Sequence, residues 1–180
     1  MASDLENTLY MDLKDGRVVI ELRPDLAPNH VKRIKLLVRE KFYDGLTFHR
    51  VIAGFMAQGG DPDGNGTGGS GVNLPAEFSN EPHVRGTLSM ARARHPDSAD
   101  SQFFIVLARA RHLDGQYTVW GQVTNGMKFV SKIKKVDEPL GLSEIKSDPK
   151  LADMELIRYG RLSVQSVKKS EFDYVKKLAG

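Results

Sequence analysis

Asx-Gly pairs at Asp15-Gly16, Asp44-Gly45, Asp114-Gly115 and Asn125-Gly126 punctuate this chain with turn signals, and short apolar segments or amphipathic stretches follow them. Residues 8–13 alternate as Thr-Leu-Tyr-Met-Asp-Leu, and after Lys14-Asp15-Gly16 comes a segment at 17–22 rich in β-branched residues. Two such runs around an Asp-Gly pair predict a β-hairpin. Further short apolar segments at 46–52, 55–58, 86–93, 101–107 and 117–123 predict strands, with a turn at His95-Pro96-Asp97 and a late strand around Met154, Leu156 and Ile157.

Two stretches read as helices. Pro28 suits a first helical turn, where its missing N–H costs nothing, and Val31, Ile34, Leu37 and Val38 then fall on one face with Lys32, Arg33, Lys35 and Arg39 on the other. Asn125-Gly126 opens a second, with Met127, Phe129, Val130 and Ile133 opposite Lys128, Lys132 and Lys134. The tail at 161–180 predicts a short terminal helix docked on the body, from the capping pair Ser170 and Asp173 and the spacing of Phe172, Val175 and Leu178 beside Lys168, Lys169, Lys176 and Lys177. Strands dominate and the helices stand far apart in sequence, so the expected architecture is mainly β: a closed or nearly closed antiparallel barrel capped by helices.

Composition narrows the chemistry. A chain of 180 residues buries roughly 70% of its unfolded surface. With no cysteine it has no disulfide, thiolate nucleophile or sulfur-ligated metal. A net charge of +3 is too small to indicate nucleic acid, no apolar run is long enough to span a membrane, and the first residues do not read as an export signal, so the expectation is a cytoplasmic protein.

Several motifs fail on inspection. Gly64-Asn65-Gly66-Thr67-Gly68-Gly69 has the spacing of a dinucleotide-binding turn, but Gly71 and Pro75 forbid the helix that must follow, and no Lys-Ser/Thr pair makes it a Walker loop. Asp61, Asp63, Asn65 and Gly66 imitate the start of an EF-hand, yet Val72 occupies the position of the bidentate glutamate; a turn rich in Asx hydrogen bonds is the better reading. His30, His49, His83, His95 and His112 never take the spacing that sets two ligands on one helix face, and no Gly-x-Ser-x-Gly elbow is present. Lys132, Lys134 and Lys135 read as a solvated face. Neither metal nor cofactor is expected.

One constellation remains. The stretch 48–61 places Arg50, Phe55, Met56 and Gln58 in a single strand-turn-strand unit, while Gln102, Phe103 and Phe104 and then His112-Leu113 add an amide and more apolar side chains. Taken singly, Phe55, Met56 and Phe104 read as core and Arg50 as a surface strand residue. Together, the segments 48–61 and 101–104 resemble the cyclophilin family of peptidyl-prolyl isomerases, over residues 7–159. Ser89-Met90-Ala91-Arg92 followed by 96–100 is similar to its bacterial branch.

The resemblance implies an eight-stranded antiparallel β-barrel closed by two helices, in a domain of residues 1–160 with 161–180 as an extension. It implies a catalytic Arg50 and a proline pocket of Phe55, Met56, Phe104 and Leu113. Gln58 and Gln102 match the groove's amides, and Ala91 and Arg92 the strand that takes the substrate backbone. Three positions depart from the commonest eukaryotic pattern: Arg92 replaces an asparagine, His112 a tryptophan and Tyr117 a histidine. The implied partners are proline-containing peptides and unfolded chains, with weak binding of cyclosporin because of His112, no nucleic acid and no membrane, and a monomeric state. The same groove on a binding module captures proline segments without catalysis, and exchange measurements on an Ala-Pro peptide separate the two.

Overall fold

A computed structural model describes residues 5–133. The late strand at 154–157, the tail helix at 161–180 and Lys134 and Lys135 lie outside the described residues. The expected hairpin forms as β1 (Thr8–Leu13) and β2 (Gly16–Leu22), antiparallel, with Leu13 opposite Gly16 and Lys14-Asp15 as the two-residue loop. Along β2 the alternation Val18, Ile20, Leu22 is buried while Arg17 and Glu21 are exposed.

Helix α1 (Pro28–Arg39) follows the predicted span and buries Val31, Ile34 and Leu37. Ala27 supplies no side-chain cap at its start. The free amides of Asn29 and His30 are instead taken by the Glu77 carboxylate, at 3.1 Å each, and Glu77 also accepts from His30 Nδ1 at 2.7 Å. Burial raises the Glu77 pKa, but the bonds from His30 and the two amides outweigh it and hold the carboxyl below its usual range.

Five more strands complete the sheet: β3 (Arg50–Ile52), β4 (Met56–Gly59), β5 (Thr87–Met90), β6 (Phe103–Val106) and β7 (Val119–Asn125). Their order is β1-β2-β7-β5-β6-β4-β3 and every pair is antiparallel. Register shifts between Val19 and Ile20 and between Leu88 and Ser89 interrupt the ladders to β7, and such irregularities bend and twist a sheet. The result is a mainly β, curled seven-stranded antiparallel sheet with two helices, among the described residues.

Several boundaries differ from the sequence reading. The strand expected over 46–52 shrinks to Arg50–Ile52, because residues 43–46 close a turn, with Leu46 N–H on Tyr43 O, and Phe48 turns in against Phe103 with ring centres 6.3 Å apart. The second helix is a single turn, α2 (Met127–Val130), not a run to Lys134. After Ser131, whose N–H still bonds the Met127 carbonyl, the backbone tightens to i−3 bonds, Lys132 N–H on Phe129 O and Ile133 N–H on Val130 O, while Ser131 Oγ donates to the Met127 carbonyl and accepts from Arg85. The glycine-rich stretch 59–71 reads from its sequence as a long loop, but its first residue, Gly59, still belongs to β4, and the turn at 95–97 is a 3₁₀ turn at Pro96–Ser98.

One face of the sheet carries the main core, in which Ile20, Val31, Ile34, Leu88, Ile105 and Trp120 meet with almost no exposure. Gly126 joins β7 to α2 at φ +89°, and a Cβ there would lie 2.5 Å from the Arg17 carbonyl oxygen. Gly126→Ala is therefore expected to cost at least about 2 kcal/mol in denaturant unfolding, whereas Gly115→Ala, at φ +68° with open space around it, should cost only about 1 kcal/mol. Equal losses at the two positions would refute the close approach at Gly126.

Candidate active site

Strand β6 divides its side chains between two apolar clusters. Phe103 and Ile105 enter the main core, while Phe104 and Val106 join Met56, Ala110 and Leu113 in a second cluster flanked by Phe55, Ala91 and Tyr117. Antiparallel register then sets Arg50 opposite Gln58, Gln58 opposite Phe104, and Phe104 opposite Ser89, a single row across β3, β4, β6 and β5. The cation and the apolar wall thus stand in one row with Gln58 between them, although Arg50 and Phe104 lie 54 positions apart in the chain.

Above this row lies a cavity of about 290 Å³. Phe55, Met56, Phe104 and Leu113 line it, with Arg50 and Gln58 on one side and Ala91, Arg92, His112 and Tyr117 on the other. Of the residues singled out in the sequence, Gln102 alone lines a neighbouring cavity of about 300 Å³ instead, which shares Gln58, Ala91 and Arg92 with the first and is walled by residues 66–69.

A relay of amides ties the two cavities. Gln102 donates from Nε2 to the carbonyls of Gly66 and Gly68 at 3.1 and 2.8 Å, and its Oε1 accepts from Gln58 Nε2 at 2.9 Å. That leaves Gln58 Oε1 facing Arg50 Nη1 at 3.4 Å. The exposed guanidinium is thereby steered along the row while its other donors stay open to a ligand. The glycine loop that anchors the relay is built on Asp61, which is buried and accepts the backbone N–H groups of Asp63, Asn65 and Gly66. Burial opposes ionisation of Asp61, but these three amides and nearby His49 hold its pKa below the carboxylate norm. The acidic glycine run is a turn of Asx bonds, as its sequence suggested.

The apolar wall has its own support. Tyr117 stands edge-on to Phe104 with ring centres 5.7 Å apart, and the Arg92 guanidinium lies 4.7 Å from the centre of the Tyr117 ring. His112 packs against Phe55 at 5.2 Å. Sequence reasoning missed the groups behind and outside this wall. Phe78, exposed, lies 5.9 Å from the Arg92 guanidinium. His83, fully buried, stacks on Phe104 at 6.2 Å; its Nε2 meets Ser89 Oγ at 3.1 Å and its Nδ1 meets Asp114 at 3.2 Å. Arg109 in turn binds the Asp114 carboxylate and, with the His83 amide, holds the Asp114 pKa well below its ordinary value. Only their partners in space distinguish Phe78 and His83, and the one available signal was a histidine in a segment otherwise free of ring donors.

A family model described as cyclophilin type peptidyl-prolyl cis-trans isomerase matches residues 8–156. A probable peptidyl-prolyl cis-trans isomerase of Brucella suis is 58% identical over 149 residues, spanning 76% of this chain and 76% of that protein. Peptidyl-prolyl cis-trans isomerase B of Bacillus subtilis is 47% identical over 133 residues, covering 72% of this chain and 92% of its own length. Among solved structures, the cyclophilin-type isomerase of Cryptosporidium parvum, crystallised in the presence of the dipeptide Ala-Pro, superposes with a TM-score of 0.68 at 30% identity, over 73% of this chain and 87% of that one. With a family model matching most of its length, a matching fold and relatives this similar, the chain belongs to the cyclophilin-type peptidyl-prolyl cis-trans isomerase family.

The histidines near the site set a pH dependence of stability. Burial lowers the pKa of His83 against the opposing pull of Asp114, and burial likewise lowers that of His49 against Asp61. Below the ordinary histidine value of about 6.5 the unfolded chain binds more protons than the folded one, so stability present above that pH is lost as pH falls through the lowered values. The carboxylates Asp61, Glu77 and Asp114 act only further down, below about 4.5. Urea midpoints should therefore decline between pH 7 and pH 5, and a flat profile there would contradict neutral, buried imidazoles.

Proposed function

We propose that this chain accelerates rotation of X-Pro peptide bonds in protein and peptide substrates, assisting folding, with Arg50 as the catalytic residue. The observation that carries the reading is the cross-strand row that seats one unpaired guanidinium beside a ring-sized apolar cavity. The barrier to rotation, roughly 18 to 20 kcal/mol, is the loss of C–N resonance, and no covalent bond breaks. As the imide twists, the prolyl nitrogen becomes pyramidal and regains a lone pair. Arg50 donates a hydrogen bond to that nitrogen better than to the planar ground state, so it stabilises the transition state selectively.

Phe55, Met56, Phe104 and Leu113 hold the pyrrolidine ring by contact while the residues before it turn. Gln58, fixed by Gln102, orients the guanidinium, and Ala91 and Arg92 take the substrate backbone. Uncatalysed exchange takes about 10 to 100 s at 25 °C, slow enough to limit folding.

The same proposal includes a domain of residues 1–160 with 161–180 as an extension, and an eighth strand that closes the barrel. The support for the latter is the apolar pattern of Met154, Leu156 and Ile157. It includes a monomeric working state, since the row and the cavity are assembled from one chain. Cyclosporin is expected to bind weakly, because the imidazole of His112 offers less apolar area than the indole of the commonest eukaryotic pattern.

Arg50→Ala should lower kcat/KM for an Ala-Pro peptide at least tenfold, about 1.4 kcal/mol of barrier, with its unfolding midpoint unchanged because the side chain is exposed. Phe104→Ala should raise KM by opening the pocket. In two-dimensional NMR exchange the parent protein is expected to give cis/trans cross-peaks; peptide shifts without cross-peaks would make the groove a binding module instead.

A further inference from the structure

We propose that Arg92 makes this isomerase selective for prolines with an acidic residue close by, an inference that rests on the activity proposed above. Arg92 lines both cavities, and its guanidinium lies over Tyr117, the ring that stands against Phe104. It is held there as a fixed group. Nε and Nη2 donate to the Gln116 carbonyl at 3.3 and 3.1 Å, and Nη1 to the carbonyls of Ala93 and Arg94 at 3.0 and 3.2 Å.

All three acceptors are neutral, so the bonds position the charge without cancelling it. Among the described residues neither Arg92 nor Arg50 lies within ion-pair distance of a carboxylate. No aspartate or glutamate lines the proline cavity. Asp100, on the wall of the adjoining one, keeps its charge, but both its oxygens are occupied by the Ser70 hydroxyl and the amides of Ser70 and Gly71 and neither pairs with Arg92. The chain as a whole is close to charge balance, 26 basic against 23 acidic residues, so two uncompensated cations at one groove are a local feature.

A concave, partly apolar site focuses such a field on whatever enters it. The arginine's planar fork is what allows it to satisfy three carbonyls and stack on a ring at once. The partner chemistry that fits is a carboxylate on the residue next to the Ala-Pro unit, drawn to the Arg92 rim while the proline ring occupies the cavity; a lysine at that place is repelled.

The test measures kcat/KM for peptides with Glu, Gln or Lys on either side of one Ala-Pro unit, at low salt and at about 0.5 M salt. For the parent protein the Glu peptide should exceed the Lys peptide about fivefold or more on at least one side, and salt should shrink that ratio. Arg92→Gln should reduce the ratio at least about threefold, Arg92→Lys, which keeps the charge but not the fork that fixes it, should retain only part of it, and Arg94→Gln, whose exposed side chain lines neither cavity, should leave it unchanged. A parent ratio near one, or a ratio that Arg92→Gln leaves intact, overturns the inference, as does an equal loss for Glu, Gln and Lys peptides, which would make Arg92 a staple of its loop. If the parent fails to isomerise even the Gln peptide, it is the proposed activity that falls, a result distinct from any of these.

Discussion

A strand that is apolar on both faces is the constraint from which this molecule's function grows. Because successive side chains of β6 point to opposite sides, Phe103 and Ile105 can complete the main core while Phe104 and Val106 create a second apolar surface on the other side of the same sheet. A slip of one residue in the β4–β6 register would exchange the two sets and place Gln58 beside the wrong neighbour. The buried Ser89 and His83 keep the second surface from collapsing, since their mutual hydrogen bond and the Ser89 bond to the Thr118 carbonyl satisfy polar groups directly behind Phe104.

The site needs little that is chemically reactive. A guanidinium, two amides and a greasy hollow suffice when the reaction only twists a bond, and the protein's contribution is placement. That placement is indirect. Asp61 shapes the glycine loop, the loop's carbonyls hold Gln102, Gln102 holds Gln58, and Gln58 faces Arg50. Each link is a hydrogen bond worth about 1 kcal/mol net, yet together they restrict where the charge can be. The positive side of the groove is set in the same way, with Arg92 tied to neutral carbonyls that fix its plane and leave its charge exposed to a ligand.

Long-range polar contacts do similar work for the scaffold. Glu77 caps α1 from a loop 48 residues away, replacing the side-chain cap that Ala27 cannot provide. The same carboxylate binds His30, so the helix start, a buried imidazole and the loop before β5 share one anchor.

The sequence alone determined much of this. Alternation and Asx-Gly punctuation marked the hairpin and the strands and the spacing of Val31, Ile34 and Leu37 marked α1, because these signals are local and periodic, whereas the segments 48–61 and 101–104 marked the site only through their resemblance to the cyclophilin family. It did not show that the strand expected over 46–52 starts only at Arg50, nor that the second helix ends at Val130, since the first depends on a turn at 43–46 and the second on backbone bonds that tighten after Val130. Phe55, Met56 and Phe104 were ambiguous between core and pocket by composition; only the pairing of β6 with both β4 and β5 assigned them to the second face. The roles of His83, Phe78 and the Arg92 side chain came wholly from tertiary structure. The partners in these contacts lie 6 to 31 positions away, and a one-dimensional pattern carries no record of which distant groups a fold will bring within hydrogen-bond or ring-contact range.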